Sequence, residues 1–242
     1  MDLSFSVVKT YTFCPFKYKL VYEDKWYTPP TPGSSLGHSI HRALDDYHRR
    51  TGKTFDELME SYNGEWVNEG FDSAQAAQEY FEKGEKILKN YWEQSLSSET
   101  EIVFTEKEFN CLVGKYKLRG TIDRMDKLPD GRYELIEYKT HANMWTQQDV
   151  DKDLQLSLYA YASRKCFELV PEVLSYYFLA HNRKVDTVRS EQQIEDAAKL
   201  AEEVGQKLDE KSFVPNTASC GFCDLKFKCP RSIVRKIEVG NV

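Results

Sequence analysis

The segment GTIDRMDKLPDGRYELIEYKT, residues 120–140, decides the reading of this chain. Polar and apolar residues alternate on both sides of Pro129-Asp130-Gly131, and that tripeptide is a turn signal, so the segment predicts a β-hairpin. Asp123 sits on the first strand, and Glu137 and Lys139 sit on the second. Residues two apart on a strand project from one face, so Glu137 and Lys139 point the same way. Paired strands lie about 5 Å apart, which lets Asp123 approach them across the ladder. Leu135 and Ile136 beside them are apolar. A Glu-x-Lys pair among such neighbours is costly to desolvate unless it is partnered or binds a metal.

Working outward, EIVFTEKEFNCLV (101–113) supplies a third antiparallel strand ahead of a Gly114-Lys115 turn. Residues 149–167 read as a helix, 173–179 and 184–189 as a strand pair, and 190–211 as a last helix with Ser190 and Gln193 as its capping box. Towards the N-terminus, the Pro-rich break WYTPPTPGSS (26–35) separates a helix-like opening from SSLGHSIHRALDDYHRR (34–50). There Ser34 or Ser35 can cap a helix whose Leu36, Ile40, Ala43, Leu44 and Tyr47 share a face. Two further helices, 54–69 and 73–95, form a helical insertion at about 50–98. The order predicts one α/β domain over 1–242, a mixed β-sheet core flanked by helices.

Phosphodiester hydrolysis is the chemistry that needs Asp123, Glu137 and Lys139 together. Two carboxylates and a backbone carbonyl, here that of Tyr138, suit magnesium or manganese. Such an ion lowers the pKa of a bound water, and a lysine beside it stabilises developing negative charge. A surface hairpin carrying an ordinary salt bridge would show the same letters.

The composition is globular, with 40% hydrophobic, 13% aromatic and 30% charged residues, which excludes disordered and fibrous classes. No stretch approaches eighteen apolar residues, and the first twenty lack a basic-then-apolar signal, so a soluble cytoplasmic protein without membrane association is expected. Thirty-three Lys and Arg against thirty-nine Asp and Glu leave a net charge of −6. That does not advertise nucleic-acid binding, although a carboxylate-metal site is acidic by construction. No phosphate-binding G-x-x-x-x-G-K-[ST] loop is present, so no ATP is expected.

Three more features join the hairpin. Gly37-x-x-x-His41-x-x-Leu44 lies on the first long helix, and Gln155-x-x-x-Tyr159 on a helical face beyond the lysine. Alone, a helical His is more often structural, and a Gln–Tyr pair is common on half-buried helices. The third feature is Cys220-x-x-Cys223-x5-Cys229-Pro230, three thiols in a short segment. In a cytosolic chain these read as metal ligands before disulfides. Cys14, also followed by proline, is the candidate fourth ligand, while Cys111 and Cys166 read as ordinary buried thiols. Four cysteines hold either zinc or a four-iron four-sulfur cluster, and spacing alone does not choose. Lys226, Lys228, Arg231, Arg235 and Lys236 surround this segment and offer either DNA contacts or a solvated basic tail.

In order and spacing, these motifs resemble the RecB-like branch of the PD-(D/E)XK nucleases. That branch includes nuclease domains of recombination helicase-nucleases and stand-alone CRISPR-associated nucleases with an iron-sulfur cluster. Ser4-x-Ser6 through Tyr18 resembles the family's opening, His41 its first motif, Gly120-x-x-Asp123-Arg124 its second, Glu137-Tyr138-Lys139 its third and Gln155 with Tyr159 the next. Glu137 stands where many members have Asp. The resemblance implies a restriction-endonuclease-like fold, with His41, Asp123, Glu137 and the Tyr138 carbonyl as ligands of magnesium or manganese. Lys139 would serve catalysis, with Gln155 and Tyr159 lining the site. It favours a 4Fe-4S cluster on Cys14, Cys220, Cys223 and Cys229 over zinc, as a structural tie between the two ends of the chain. The expected function is a metal-dependent nuclease acting from ends on single-stranded DNA, in repair, recombination or CRISPR adaptation, where protein partners are conceivable. The rivals are a catalytically silent DNA-binding or scaffold subunit and a zinc-stabilised nucleic-acid-binding protein.

Overall fold

A computed structural model describes residues 2–26 and 29–234. Arg235 and Lys236 of the basic tail lie outside the described residues. The elements run β1 (Asp2–Leu3), α1 (Phe5–Phe13), α2 (Pro15–Tyr18), α3 (Pro32–Arg49), α4 (Phe55–Gly64), α5 (Ala74–Ser95), β2 (Glu101–Val113), β3 (Tyr116–Lys127) and β4 (Tyr133–Lys139). They continue with α6 (Gln147–Lys152), α7 (Leu154–Phe167), β5 (Pro171–Phe178), β6 (Arg183–Thr187) and α8 (Glu191–Asp209). The strands form one mixed six-stranded sheet in the order β1-β3-β4-β5-β6, with β2 also paired to β3. This is the mixed α/β arrangement expected from the sequence.

The chain divides into two compact units. The larger comprises 29–111 and 119–197. Here β3 and β4 form the expected antiparallel hairpin, with Arg124 opposite Ile136 and Lys127 opposite Tyr133. Strand β5 joins β4 in parallel, setting Glu137 beside Tyr176 and Lys139 beside Phe178. A parallel neighbour requires a crossover, and α6 with α7 provides it. The interior of β4, Glu134 to Tyr138, is buried throughout. One face of the sheet, through Ile136, Tyr138 and Tyr177, packs on Leu36, Ile40 and Leu44 of α3 and on Leu88 and Tyr91 of α5.

Two expectations are corrected in this unit. Helix α3 is capped by Thr31, not by Ser34 or Ser35: the Thr31 hydroxyl accepts the Ser34 N–H at 3.2 Å, and the Ser34 hydroxyl accepts the Thr31 N–H in return. Pro32 at the first helical position, with its preset φ, moves the start upstream. The single helix expected over 149–167 is two. Asp153 is extended (φ −69°, ψ 134°), and its carboxylate accepts N–H bonds from Gln155 and Leu156, ending α6 and capping α7. A capping side chain inside an otherwise helical pattern offers the backbone this alternative.

The smaller unit comprises Met1–Thr28, Leu112–Leu118 and Ala198–Val242. Within it β1 pairs in parallel with Lys117 and Leu118 of β3, and Ser4 caps α1 through the Val7 N–H. The two ends of the chain are tied by hydrogen bonds: Tyr11 Oη donates to the Ser212 carbonyl at 2.5 Å and Asn216 Nδ2 to the Phe13 carbonyl at 3.0 Å. Among the described residues no helix is long and apolar enough to cross a membrane.

Candidate active site

The site lies within the larger unit. Asp123, near the middle of β3, accepts the backbone N–H of Tyr138 through Oδ2 at 2.7 Å, which fixes the carboxylate against β4. Alternation along β4 sends Tyr138 to the opposite face, into the core, where Tyr91 Oη, Tyr138 Oη and the Arg124 guanidinium meet. Glu137 and Lys139 emerge together on the Asp123 side, as two-residue spacing requires. Lys139 Nζ donates to Glu137 Oε1 and to Gln155 Oε1, both at 3.0 Å. Gln155 Nε2 donates back to Glu137 Oε1 at 2.7 Å. One amide thus orients both charged groups. The Asp153 cap sets Gln155 in the first turn of α7, and Tyr176 Oη bonds Asp153 Oδ1 (2.5 Å) and Gln155 Oε1 (3.2 Å).

His41 reaches in from α3. Its Nδ1 lies 3.4 Å from Asp123 Oδ1 and 3.3 Å from Glu106 Oε1. Gly37, one turn earlier, permits this approach: a Cβ there would stand 3.1 Å from Thr140 Oγ1. Tyr159 packs its buried ring against Phe109 (5.4 Å, 74°), beneath Gly120, where a Cβ would meet Phe109 at 2.8 Å. The side chains of His41, Asp123, Glu137, Lys139 and Gln155 share one neighbourhood with Tyr159 in its floor, while Tyr138 meets Asp123 through its backbone N–H and sends its ring into the core.

Glu106 was not anticipated. It lies on β2, where EKE gives no sign of a special residue. Its backbone takes φ 40°, the left-handed region that non-glycine residues seldom visit. Strain of this kind persists only where the surroundings hold it, and it collects at functional sites. The ligand atoms of His41, Glu106 and Asp123 lie within 4.8 Å of one another, and among the described residues they are the only such group of three drawn from His, Cys, Asp and Glu. An open cleft of ≈ 660 Å³, lined by Ser34, His38, His41, Arg42, Glu106 and Thr140, leads to it.

The electrostatics fit a cation. Burial lifts the pKa of Glu137 and the Asp123 charge lifts it further, to about 8, against the pull of Lys139 and His41. Burial lowers the pKa of His41, but the Asp123 and Glu106 carboxylates outweigh it and carry it up to about 10. Burial, and then the Glu137 charge, raise that of Tyr159. Glu137 Oε2 is buried and accepts no hydrogen bond, and the buried Glu106 Oε1 faces the His41 imidazole at 3.3 Å. A buried carboxylate oxygen without a donor, close to further carboxylates and one imidazole, is what an oxygen-preferring divalent ion requires.

In the smaller unit Cys14, Cys220, Cys223 and Cys229 line one pocket with Phe13, Phe16 and Leu20. All four are half-buried free thiols, as is Cys166, while Cys111 is fully buried. Cys14 Sγ accepts the Asn216 N–H at 3.4 Å, and Lys17 pairs with Asp224 at 2.6 Å. No three of the four sulfurs lie within 4.8 Å of one another.

Comparison with known proteins places these geometries in context. The profile of the PD-(D/E)XK nuclease superfamily matches residues 2–230. None of the curated protein sequences matches significantly. Among solved structures, a proposed exonuclease from Eubacterium rectale is similar in fold, with TM-score 0.54 and 14% identity over 97% of this chain and 89% of that one. The structure of SSO0001 aligns at TM-score 0.39 and 17% identity, over 91% of this chain and 96% of that one.

Proposed function

Because the chain belongs to the PD-(D/E)XK nuclease superfamily, we propose that it is a divalent-metal-dependent deoxyribonuclease that degrades single-stranded DNA from its ends. The observation that carries this reading is the convergence of His41, Glu106 and Asp123 beside a donor-less Glu137 oxygen, with Lys139 held by Glu137 and Gln155. An ordinary salt-bridged hairpin has no need of a buried carboxylate oxygen without a donor.

His41, Asp123, Glu137, the Tyr138 carbonyl and Glu106 would hold magnesium or manganese, which supplies charge neutralisation at the phosphate and acidifies water. Tyr138 N–H keeps Asp123 from rotating. Gln155 keeps Lys139 and Glu137 in register, so the ammonium is preorganised before substrate arrives. Lys139 Nζ then orients the attacking water and offsets the charge that builds on the phosphate oxygens as the P–O bond to the leaving nucleotide breaks. Neutral His41 is the form that ligates, so substrate-ready protein has lost that proton. The Eubacterium rectale neighbour favours the exonuclease mode by likeness of fold. We place the activity in DNA trimming for repair, recombination or CRISPR adaptation, the settings the family resemblance carries.

For the cysteine pocket we propose a 4Fe-4S cluster. A zinc tetrahedron with Zn–S ≈ 2.3 Å would hold its sulfurs ~3.8 Å apart. The apolar residues that line the pocket and the family resemblance support the cluster over zinc.

The test is digestion of end-labelled linear and of circular single-stranded DNA with manganese or magnesium. Linear strands are expected to be degraded while circles survive, and Lys139→Ala is expected to lose at least ~10²–10³ in rate. An undiminished rate in purified Lys139→Ala would defeat the assignment.

A further inference from the structure

Between β4 and α6 runs the loop 140–146, THANMWT, which leaves the sheet directly after Lys139. It is held at both ends. His181 Nε2 is 2.6 Å from the Ala142 carbonyl, and Thr146 caps α6 through the Asp149 N–H. Its two aromatic residues continue a file of rings that starts at Lys139. Lys139 Nζ stands 4.8 Å from the centre of the Tyr176 ring. Trp145 meets that ring edge-on at 4.9 Å and 70°. His141 lies nearly flat on Trp145, at 6.0 Å and 28°, and edge-on to Phe178 at 5.8 Å.

Exposure along this file changes in one direction. Tyr176 and Phe178 are wholly buried, Trp145 is half-buried and His141 is exposed. A hydrophobic cluster that only pinned the loop would gain most from an apolar terminal ring buried on both faces. Here the outermost ring is a polar one, laid parallel to an indole, with the aromatic core behind it. That is the form of a stacking platform. Nucleic-acid bases stack on aromatic and imidazole faces irrespective of sequence. Only an unpaired base, free of its duplex neighbours, can be placed there.

We propose that His141, backed by Trp145, is the stacking platform for the base of the nucleotide next to the phosphate engaged by Lys139. The proposal rests on the nuclease reading and deepens it: the preference for single strands comes from the requirement for a base that can leave its stack. His141 is then a substrate-binding residue, acting through its ring face and not through proton transfer.

Two measurements test this. In calcium, fluorescence anisotropy compares binding of a short single-stranded oligonucleotide with that of the same oligonucleotide made wholly abasic. In manganese, cleavage kinetics follow oligonucleotides with one abasic nucleotide walked along the strand. Wild type is expected to prefer the base-bearing strand by roughly tenfold. His141→Ala should lose that preference, while His141→Phe, which keeps a ring without an ionisable nitrogen, should retain it. In cleavage, His141→Ala should raise KM by a similar factor with kcat changed less than about twofold. One abasic position should raise KM for wild type and add nothing for the variant. The platform is overturned when the abasic penalty is equal in wild type and His141→Ala, or when His141→Phe behaves as His141→Ala. Failure of the nuclease reading is a separate result, no cleavage of any strand by wild type, and the anisotropy arm decides the platform even then.

Discussion

Replacing Glu137 by Gln is expected to stabilise the metal-free protein while destroying its metal site. In the fold the Glu137 carboxyl is buried and faces the Asp123 charge, and its pKa stands at about 8 against 4.5 in the unfolded chain. A group whose folded pKa is raised contributes stability that is fully present below pH 4.5 and lost as pH rises through about 8. The span corresponds to ~5 kcal/mol at 1.36 kcal/mol per pH unit. A neutral amide in the same place would not incur that loss. Its carbonyl can still accept from Lys139 Nζ and Gln155 Nε2, as Glu137 Oε1 does. The pull of Lys139 and His41 is already contained in that shift, but the amide's N–H donors, buried where Glu137 Oε2 has no partner, cost part of the gain. A net stabilisation of about 1–3 kcal/mol at pH 9 remains, equivalent to roughly 2–10 °C in Tm. At pH 4.5 the gap should close, because the folded wild type then carries a neutral carboxyl. Thermal and urea denaturation in EDTA at the two pH values measure this, and isothermal titration with manganese should show the variant's affinity collapsed. A variant less stable than wild type at pH 9, or an equal gap at both pH values, would refute the reasoning that this carboxylate is held against its own electrostatics.

Two predictions concern other parts of the fold. Arg124 is buried, donates twice to Asp126 (both 2.5 Å) and reaches Tyr91 Oη at 2.6 Å. Arg124→Met should cost about 3–5 kcal/mol in urea unfolding by stranding Asp126, and Arg124→Met/Asp126→Leu should recover much of it. In the cysteine pocket, Cys223→Ala should abolish iron content and visible absorbance and lower Tm. Hydrogen bonds from Tyr11 and Asn216 should still join the chain ends, so far-UV circular dichroism should persist; zinc in place of iron in the wild type would refute the cluster.

The Asp123–Glu137–Lys139 hairpin was legible because its information is local. Alternation, a Pro-Asp-Gly turn and two-residue spacing place Glu137 and Lys139 on one face whatever surrounds them. The capping box at Ser190 was legible for the same reason, since the Ser190 hydroxyl accepts the Gln193 N–H at 3.2 Å and Gln193 Oε1 accepts the Ser190 N–H at 2.8 Å. Where local signals competed, the reading slipped. Thr31 and Ser34 are both competent caps, and Pro32 decided between them. Asp153 looked like one polar residue in a continuing helix, and only its bonds to α7 and to Tyr176 show it as a break that places Gln155.

Sequence alone determined which residue types could do chemistry here, their order along the chain and the strand pair that presents three of them. Those properties follow from backbone periodicity and turn chemistry, which act over a few residues. Tertiary structure decided the rest. Glu106 enters the site through a left-handed kink in a strand sixty-five positions from His41. Tyr159 becomes floor instead of wall because Phe109 covers it, and the Lys139 ammonium meets Tyr176, which Trp145 and then His141 follow, only once β5 lies beside β4. Contacts between distant segments depend on how whole elements pack, and no local pattern of letters encodes the direction in which a buried carboxylate finally points.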